Sequence, residues 1–327
     1  MERKDLNYIK AYDEMKCLRK SISILNVEIL ISSDRSYKSQ LYIKTQDLKE
    51  RIGWLLLDSG EYIKGLALYL SLPWKTHGEQ KYSGMSMALI EMQHYDEAIR
   101  LLRKGMRRFP ESSLLMITKG LLCQRLGLDK NALLYFEQAL QFDPDNPYAL
   151  YDKALSLNRL SYYEDAVPIL QKLTENYPNN LNYLFEMGYC CQMMGYPENA
   201  LQYYRKAQET GYMSLTIYEE LYSVYMYLGL NNEALDVALE GLKGYPDEPS
   251  MYENLGECYF KRGWIAEAKE VLKDGIKKFP EDARLKALLK KIEDETDNPD
   301  NGKKPLLIGS IILLIMLLRK LKEKHSW

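Results

Sequence analysis

The side chains able to do covalent, acid–base or metal chemistry are few in this chain of 327 residues. There are three histidines: His77 in the loop LPWKTHGEQ, His94 between two helical stretches, and His325 in the tail. None has a Cys, Ser or acid at a spacing that would make a nucleophile–base pair. The five cysteines (Cys17, Cys123, Cys190, Cys191 and Cys258) include no CxxC pair, the spacing a zinc site or a redox thiol pair would need. Cys190 and Cys191 sit mid-helix among core-like residues and read as buried structural thiols. The pattern argues against a secreted disulfide framework and for a reducing compartment. No GxxxxGK[ST], GxSxG, HExxH or strand–GxGxxG–helix stretch occurs. The expectation is therefore a chain that is not an enzyme and holds no cofactor. Lys and Arg number 44 against 46 Asp and Glu, a net charge of −2, so there is no general basic field and no nucleic-acid partner is expected. The opening MERKDLNYIKAYDEMKC is charged throughout and has no apolar core like that of a signal peptide.

The elements that would position any binding residues are set by a period. Pro110, Pro144 and Pro178 are 34 apart; Tyr212 takes the next slot, and Pro246 and Pro280 follow on the same count. Ala98, Ala132, Ala166, Ala200, Ala234 and Ala268 form a second column, and Gly120, Ala154, Gly188, Tyr222 and Gly256 a third. Small residues sit where two helices approach closely, because a larger side chain would wedge them apart. Ala132, Phe136, Ala139 and Leu140 recur at three- and four-residue spacing, the stripe of an amphipathic helix. Each proline ends a helix, since it lacks an N–H and disfavours helix in the residue before it. Asp or Asn follows in DPDNP and YPNN, which is turn and N-cap chemistry for the next helix.

The Gly or Ala, the later Ala, the bulky residue four beyond it (Leu102, Phe136, Leu170, Tyr204, Leu272) and the Pro together resemble the tetratricopeptide repeat family. The resemblance implies an all-α fold: a right-handed superhelical solenoid of antiparallel helix pairs. Six repeats span residues 79–280, preceded by an N-terminal helix in 1–35 and a degenerate repeat in 36–78 with Gly53 and Gly65 in its small slots. Residues 281–295 supply a polar-faced capping helix through Leu285, Leu288, Leu289 and Ile292, and 296–305 a linker. Three departures stand out. Repeat four lacks its Pro, and repeat five carries Tyr222 in the small slot and Ala238 in the bulky one, so a local distortion is expected near 210–240.

The resemblance also implies binding of a protein or peptide ligand along the first helix of each hairpin. By register the inward residues include Gln80, Ser83, Gly84 and Met87, then Leu114, Ile117, Thr118 and Leu121, then Tyr148, Tyr151, Asp152 and Leu155. Asn182, Phe185, Glu186 and Tyr189 follow, and after them Glu219, Glu220 and Glu253. No Lys or Arg appears among them, so the basic clamp by which some members of the family hold a chaperone's terminal carboxylate is absent. The partner expected is an apolar or aromatic segment with some basic residues, gripped by Tyr148, Tyr151, Phe185 and Tyr189, which offer large contact area at low entropic cost.

The tail raises a separate expectation. Leu306–Leu318 is apolar all round apart from Gly309 and Ser310, with Leu306, Leu307, Ile308, Ile311, Ile312, Leu313, Leu314, Ile315, Leu317 and Leu318 as its body. At ~1.5 Å per residue it covers about 20 Å against a hydrocarbon core of roughly 30 Å. Lys303, Lys304, Arg319 and Lys320 can snorkel outward from its two ends. The expectation is a transmembrane or membrane-inserted helix at 306–318 followed by a basic tail, 319–327, with the repeats facing the cytoplasm. The function expected is a membrane-tethered scaffold. A soluble chaperone or adaptor, with the last helix used for packing or oligomerisation, stands as the alternative.

Overall fold

The computed structural model describes residues 3–73, 78–210 and 214–296. Among them there are sixteen helices and no strand. Leu306–Leu318, expected as a membrane anchor, and the flanking 296–305 and 319–327 segments, from 297 onward, lie outside the described residues. Among the described residues no helix is long and apolar enough to cross a membrane.

Two compact units divide the chain, Met1–Cys190 and Cys191–Trp327. The first begins with two long helices, α1 (Arg3–Ile31) and α2 (Arg35–Asp58), followed by α3 (Tyr62–Ser71). Asp34 starts α2 by accepting from the backbone N–H groups of Ser36, at 2.7 Å, and Tyr37, at 3.3 Å. Then come the hairpins α4 (Gly78–Glu91) with α5 (Tyr95–Arg108), α6 (Ser113–Arg125) with α7 (Asp129–Phe142), and α8 (Pro147–Arg159) with α9 (Tyr163–Asn176). The division falls within α10 (Leu181–Met193). The second unit continues with α11 (Pro197–Glu209), α12 (Leu215–Tyr227), α13 (Asn231–Gly244), α14 (Pro249–Lys261), α15 (Ile265–Lys278) and α16 (Ala283–Thr296).

The repeated small slot has a direct physical cause. A Cβ placed on Gly120 would lie 2.4 Å from Phe136 Cε1, and one on Gly256 would lie 2.8 Å from Leu272 Cδ2. The small residue of the first helix thus receives the bulky residue of the second. Phe136 is fully buried among Ala132, Ala139 and Ala149, a burial that contributes about 2–3 kcal/mol. In the degenerate repeat the same device recurs: fully buried Tyr69 lies against both Gly53 and Gly84.

Repeat five behaves differently from the expected distortion. Residues 211–213 lie outside the described set, but α12 and α13 are regular helices packed on each other. Tyr222 and Ala238 are both buried. The large residue stands on the first helix and the small one on the second, the reverse of the size order in the other repeats.

Each hairpin turns at a residue with left-handed backbone. The column runs Gln93 (φ 63°), Gly127 (71°), Ser161 (62°), Gly195 (82°), Gly229 (70°) and Gly263 (76°). In the first turn the N–H of His94 donates to the carbonyl of Leu89 at 2.8 Å; in the second Leu128 does the same to Cys123 at 2.9 Å. This is the Schellman closure, which needs one positive φ and therefore favours glycine.

Candidate functional site

A cavity of about 1160 Å³ opens in the first unit. Its walls come from the end of α2, from α4 and α6, from the start of α8, and from the connections before α6 and α8. The apolar lining includes Trp54, Met87, Phe109, Leu114, Ile117 and Leu121. Tyr148, 72% exposed, stands at its edge one turn before Asp152. Asn146 fixes that end of α8, accepting from the N–H groups of Tyr148 and Ala149 at 3.1 and 3.0 Å, and Pro147 occupies the first turn.

Of the residues expected to bind, the structure brings Met87, Leu114, Ile117, Thr118, Leu121, Tyr148 and Asp152 together around this cavity. It does not bring the others there. Gly84 lies under the Tyr69 ring. Tyr151 packs on Tyr183 with ring centroids 5.2 Å apart, and Tyr189 meets Tyr163 edge-on at 6.1 Å. Leu155 and Phe185 are half-buried beyond the cavity lining. In the second unit Glu219 is half-buried, and Glu253 lies 3.6 Å from the Arg284 guanidinium.

Two of the acids expected to face a ligand, Glu186 and Glu220, take part in hydrogen bonds between neighbouring first helices. In the first unit, Ser83 and Thr118 share a hydrogen bond of 2.7 Å between α4 and α6. Gln124 Nε2 on α6 donates to the Asp152 carbonyl at 2.9 Å and to Ser156 Oγ at 2.8 Å on α8. Asn158 Nδ2 on α8 then donates to Glu186 Oε2 on α10 at 2.8 Å. In the second unit Gln192 Nε2 donates to Glu220 Oε2 at 2.9 Å, and the Tyr222 hydroxyl donates to Glu257 Oε2 at 2.8 Å. Burial pushes the carboxyls of Glu186 and Glu220 above the usual range, and the amide donors pull part of the way back. Asp152 is pushed up to about 7 by burial, against the pull of Arg159 and Arg125.

The sequence reading missed the lining residues Trp54, Phe109 and Phe142. A signal for Phe109 existed. An aromatic precedes four of the five prolines of the column, in RRFPE, NYPNN, GYPDE and KFPED, and in the structure Phe109 meets Tyr82 edge-on at 6.3 Å, as Tyr245 meets Tyr218 and Phe279 meets Tyr252 at 6.0 Å. These rings seal one helix of a hairpin to the other; only Phe109 also lines the cavity.

Models of known families match three stretches. Residues 84–147 and 226–292 match tetratricopeptide repeat models, and residues 126–207 match the model of anaphase-promoting complex (cyclosome) subunit 3. Together they support the tetratricopeptide repeat family and an all-helical solenoid built from its units. No curated protein matches the chain in sequence. Among solved structures, a chain of the APC/C hetero-tetramer Cut9–Hcn1 superposes with a TM-score of 0.62 at 15% identity, over 85% of this chain and 52% of that one. The present chain thus spans about half of that relative. PilF of Pseudomonas aeruginosa gives 0.58 at 15% identity, over 67% of this chain and 100% of that one. PilW, a type IV pilus biogenesis factor, gives 0.59 at 18% identity, over 64% and 98%. At these identities the likeness is one of fold.

Proposed function

We propose that the chain is a protein-interaction scaffold that holds an apolar segment of a partner protein in the cavity of its first unit. The observation that carries this reading is the cavity itself, walled by Leu114, Ile117 and Leu121 and edged by the exposed ring of Tyr148. A site of this size, with an aliphatic and aromatic wall and polar groups around it, suits a peptide's side chains. One neighbour in fold comes from a hetero-tetramer and another is a pilus biogenesis factor, which agrees with work inside assemblies. The scaffold is tethered by Leu306–Leu318, with the repeats on the cytoplasmic side, and the tether raises the partner's effective concentration at the membrane.

Two experiments test the two halves of the reading. A photo-cross-linking residue replaces Leu121 or Tyr148 in living cells, and in a parallel strain Leu134, an exposed position of α7. The same partner should be captured from both cavity positions and not from Leu134; capture from Leu134 alone would remove the cavity from the mechanism. Alkaline carbonate extraction compares the full chain with a truncation ending at Asp297. Retention of the full chain in the membrane pellet with release of the truncation supports the tether. If both stay in the supernatant and the truncation changes oligomeric state, the soluble adaptor takes its place.

A further inference from the structure

The column of acids on the first helices is used unequally. Asp152, Glu186 and Glu220 occupy the same place in successive repeats, 34 residues apart. The carboxylates of Glu186 and Glu220 each accept from the amide of the preceding repeat, Asn158 and Gln192. Asp152 is one methylene shorter, and the corresponding amide, Gln124, bonds its backbone carbonyl and Ser156 instead. Among the described residues no hydrogen bond and no ion pair reaches the Asp152 carboxylate. The nearby guanidiniums are engaged elsewhere: Arg125 with Glu91 at 2.7 Å, and Arg159 with Asp129 at 3.6 Å. Asp152 lines the cavity.

The rest of the lining has the same sign. Its ionisable groups are Asp58, Glu79, Glu111, Asp143 and Asp152 against Arg51 and Arg108. Arg51 is paired with Glu14, and the Arg108 guanidinium lies over the Phe109 ring, 5.6 Å from its centroid. An anionic segment would meet a surplus of carboxylates here. A cationic group would meet an acid already desolvated and without a hydrogen-bond or ion-pair partner of its own, beside a tyrosine face able to hold it.

We infer that Asp152 is the receptor for a single lysine or arginine side chain of an otherwise apolar partner segment, and so selects the partner. The inference rests on the cavity being the docking site. It gives that site a specificity residue and removes Glu186 and Glu220 from partner recognition. It also makes recognition sensitive to pH. Burial holds the Asp152 carboxyl at about 7, with Arg125 of α6 and Arg159 of α8 pulling it down and the Tyr148 and Tyr183 hydroxyls close by. A cation binds the ionised form, and the ionised fraction rises from about one-tenth at pH 6 to about nine-tenths at pH 8, so affinity should rise up to about ninefold over that range.

The test uses the full chain and a displayed library of random nonapeptides selected at pH 7.5. Selected peptides should carry one Lys or Arg among apolar residues. By fluorescence anisotropy, Asp152→Asn should weaken the best lysine peptide on the order of tenfold and abolish its pH dependence, while leaving a norleucine version of the same peptide unaffected. Selected peptides lacking a cation, or equal binding of the lysine peptide to wild type and Asp152→Asn, would overturn the assignment while keeping the cavity. Absence of any selected peptide, or peptides indifferent to a double Leu121→Ala, Tyr148→Ala change, would overturn the cavity as docking site and this inference with it.

Discussion

The side-chain amide of Asn158 donates to the carboxylate of Glu186 at 2.8 Å, joining the first helices of two neighbouring repeats. Both groups are largely withdrawn from water, and Asn158 in turn accepts from the Cys190 thiol at 2.9 Å. A half-buried carboxylate stripped of its donor keeps its desolvation cost without its compensation. Asn158→Leu should therefore destabilise the chain by about 1–3 kcal/mol. Urea denaturation checks this, and a shift below ~0.5 kcal/mol would mean the bond is not part of what holds the repeats together.

Gly120 and Phe136 define the hairpin contact by size. Gly120→Tyr should cost about 3 kcal/mol, because the Phe136 ring occupies the space and is itself walled by buried alanines. Adding Phe136→Ala reproduces the Tyr222/Ala238 arrangement of repeat five and should recover at least half of the loss. A double variant no more stable than Gly120→Tyr alone would show that the two slots do not exchange volume.

The turn column predicts a gain. Gln93 and Ser161 hold positive φ where the other turns have glycine, and a Cβ in the left-handed region costs roughly 1–2 kcal/mol. Part of that is offset by the freedom glycine has in the unfolded chain. Gln93→Gly and Ser161→Gly should each raise stability by about 0.5–1 kcal/mol, while Gly127→Ala should lower it. Calorimetric melting of the three variants decides the matter.

Burial raises the carboxyls of Asp152, Glu186 and Glu220 in the folded chain. The folded state therefore keeps protons that the unfolded state releases near pH 4, and stability from these groups is lost as pH rises through the folded values. The melting midpoint of the wild type should fall between pH 5 and pH 8. Asp152→Asn cannot ionise and should flatten that fall, leaving the variant the more stable of the two at pH 8. An identical slope in the two proteins would mean that Asp152 is not buried as described.

The period was legible because each column has one job that only a few side chains perform. Gly120 must admit Phe136, and Pro110 must stop α5. The turn column was hidden, because Gln93 and Ser161 interrupt a glycine series that is otherwise regular. The division of labour among Asp152, Glu186 and Glu220 was hidden for another reason. It turns on partners roughly 28 residues away and on one methylene of side-chain length, and a register places residues on a face without saying what they touch. The lining residues Trp54 and Phe142 lie outside the inward register altogether, one in the degenerate repeat and one at the end of a second helix.

The exchanged sizes at Tyr222 and Ala238 bear on how the chain is assembled on the ribosome. A row of near-identical hairpins risks a nascent helix closing on the wrong neighbour, since every second helix offers much the same stripe. Helix α12 cannot close on α7, because Tyr222 would be set against Phe136, and α6 closing on α13 would leave a void between Gly120 and Ala238. Each wrong match is penalised by a clash or by a hole. The inverted sizes thus disfavour these two wrong pairings, and they weigh against the deletion or duplication of half a unit at that point in the array.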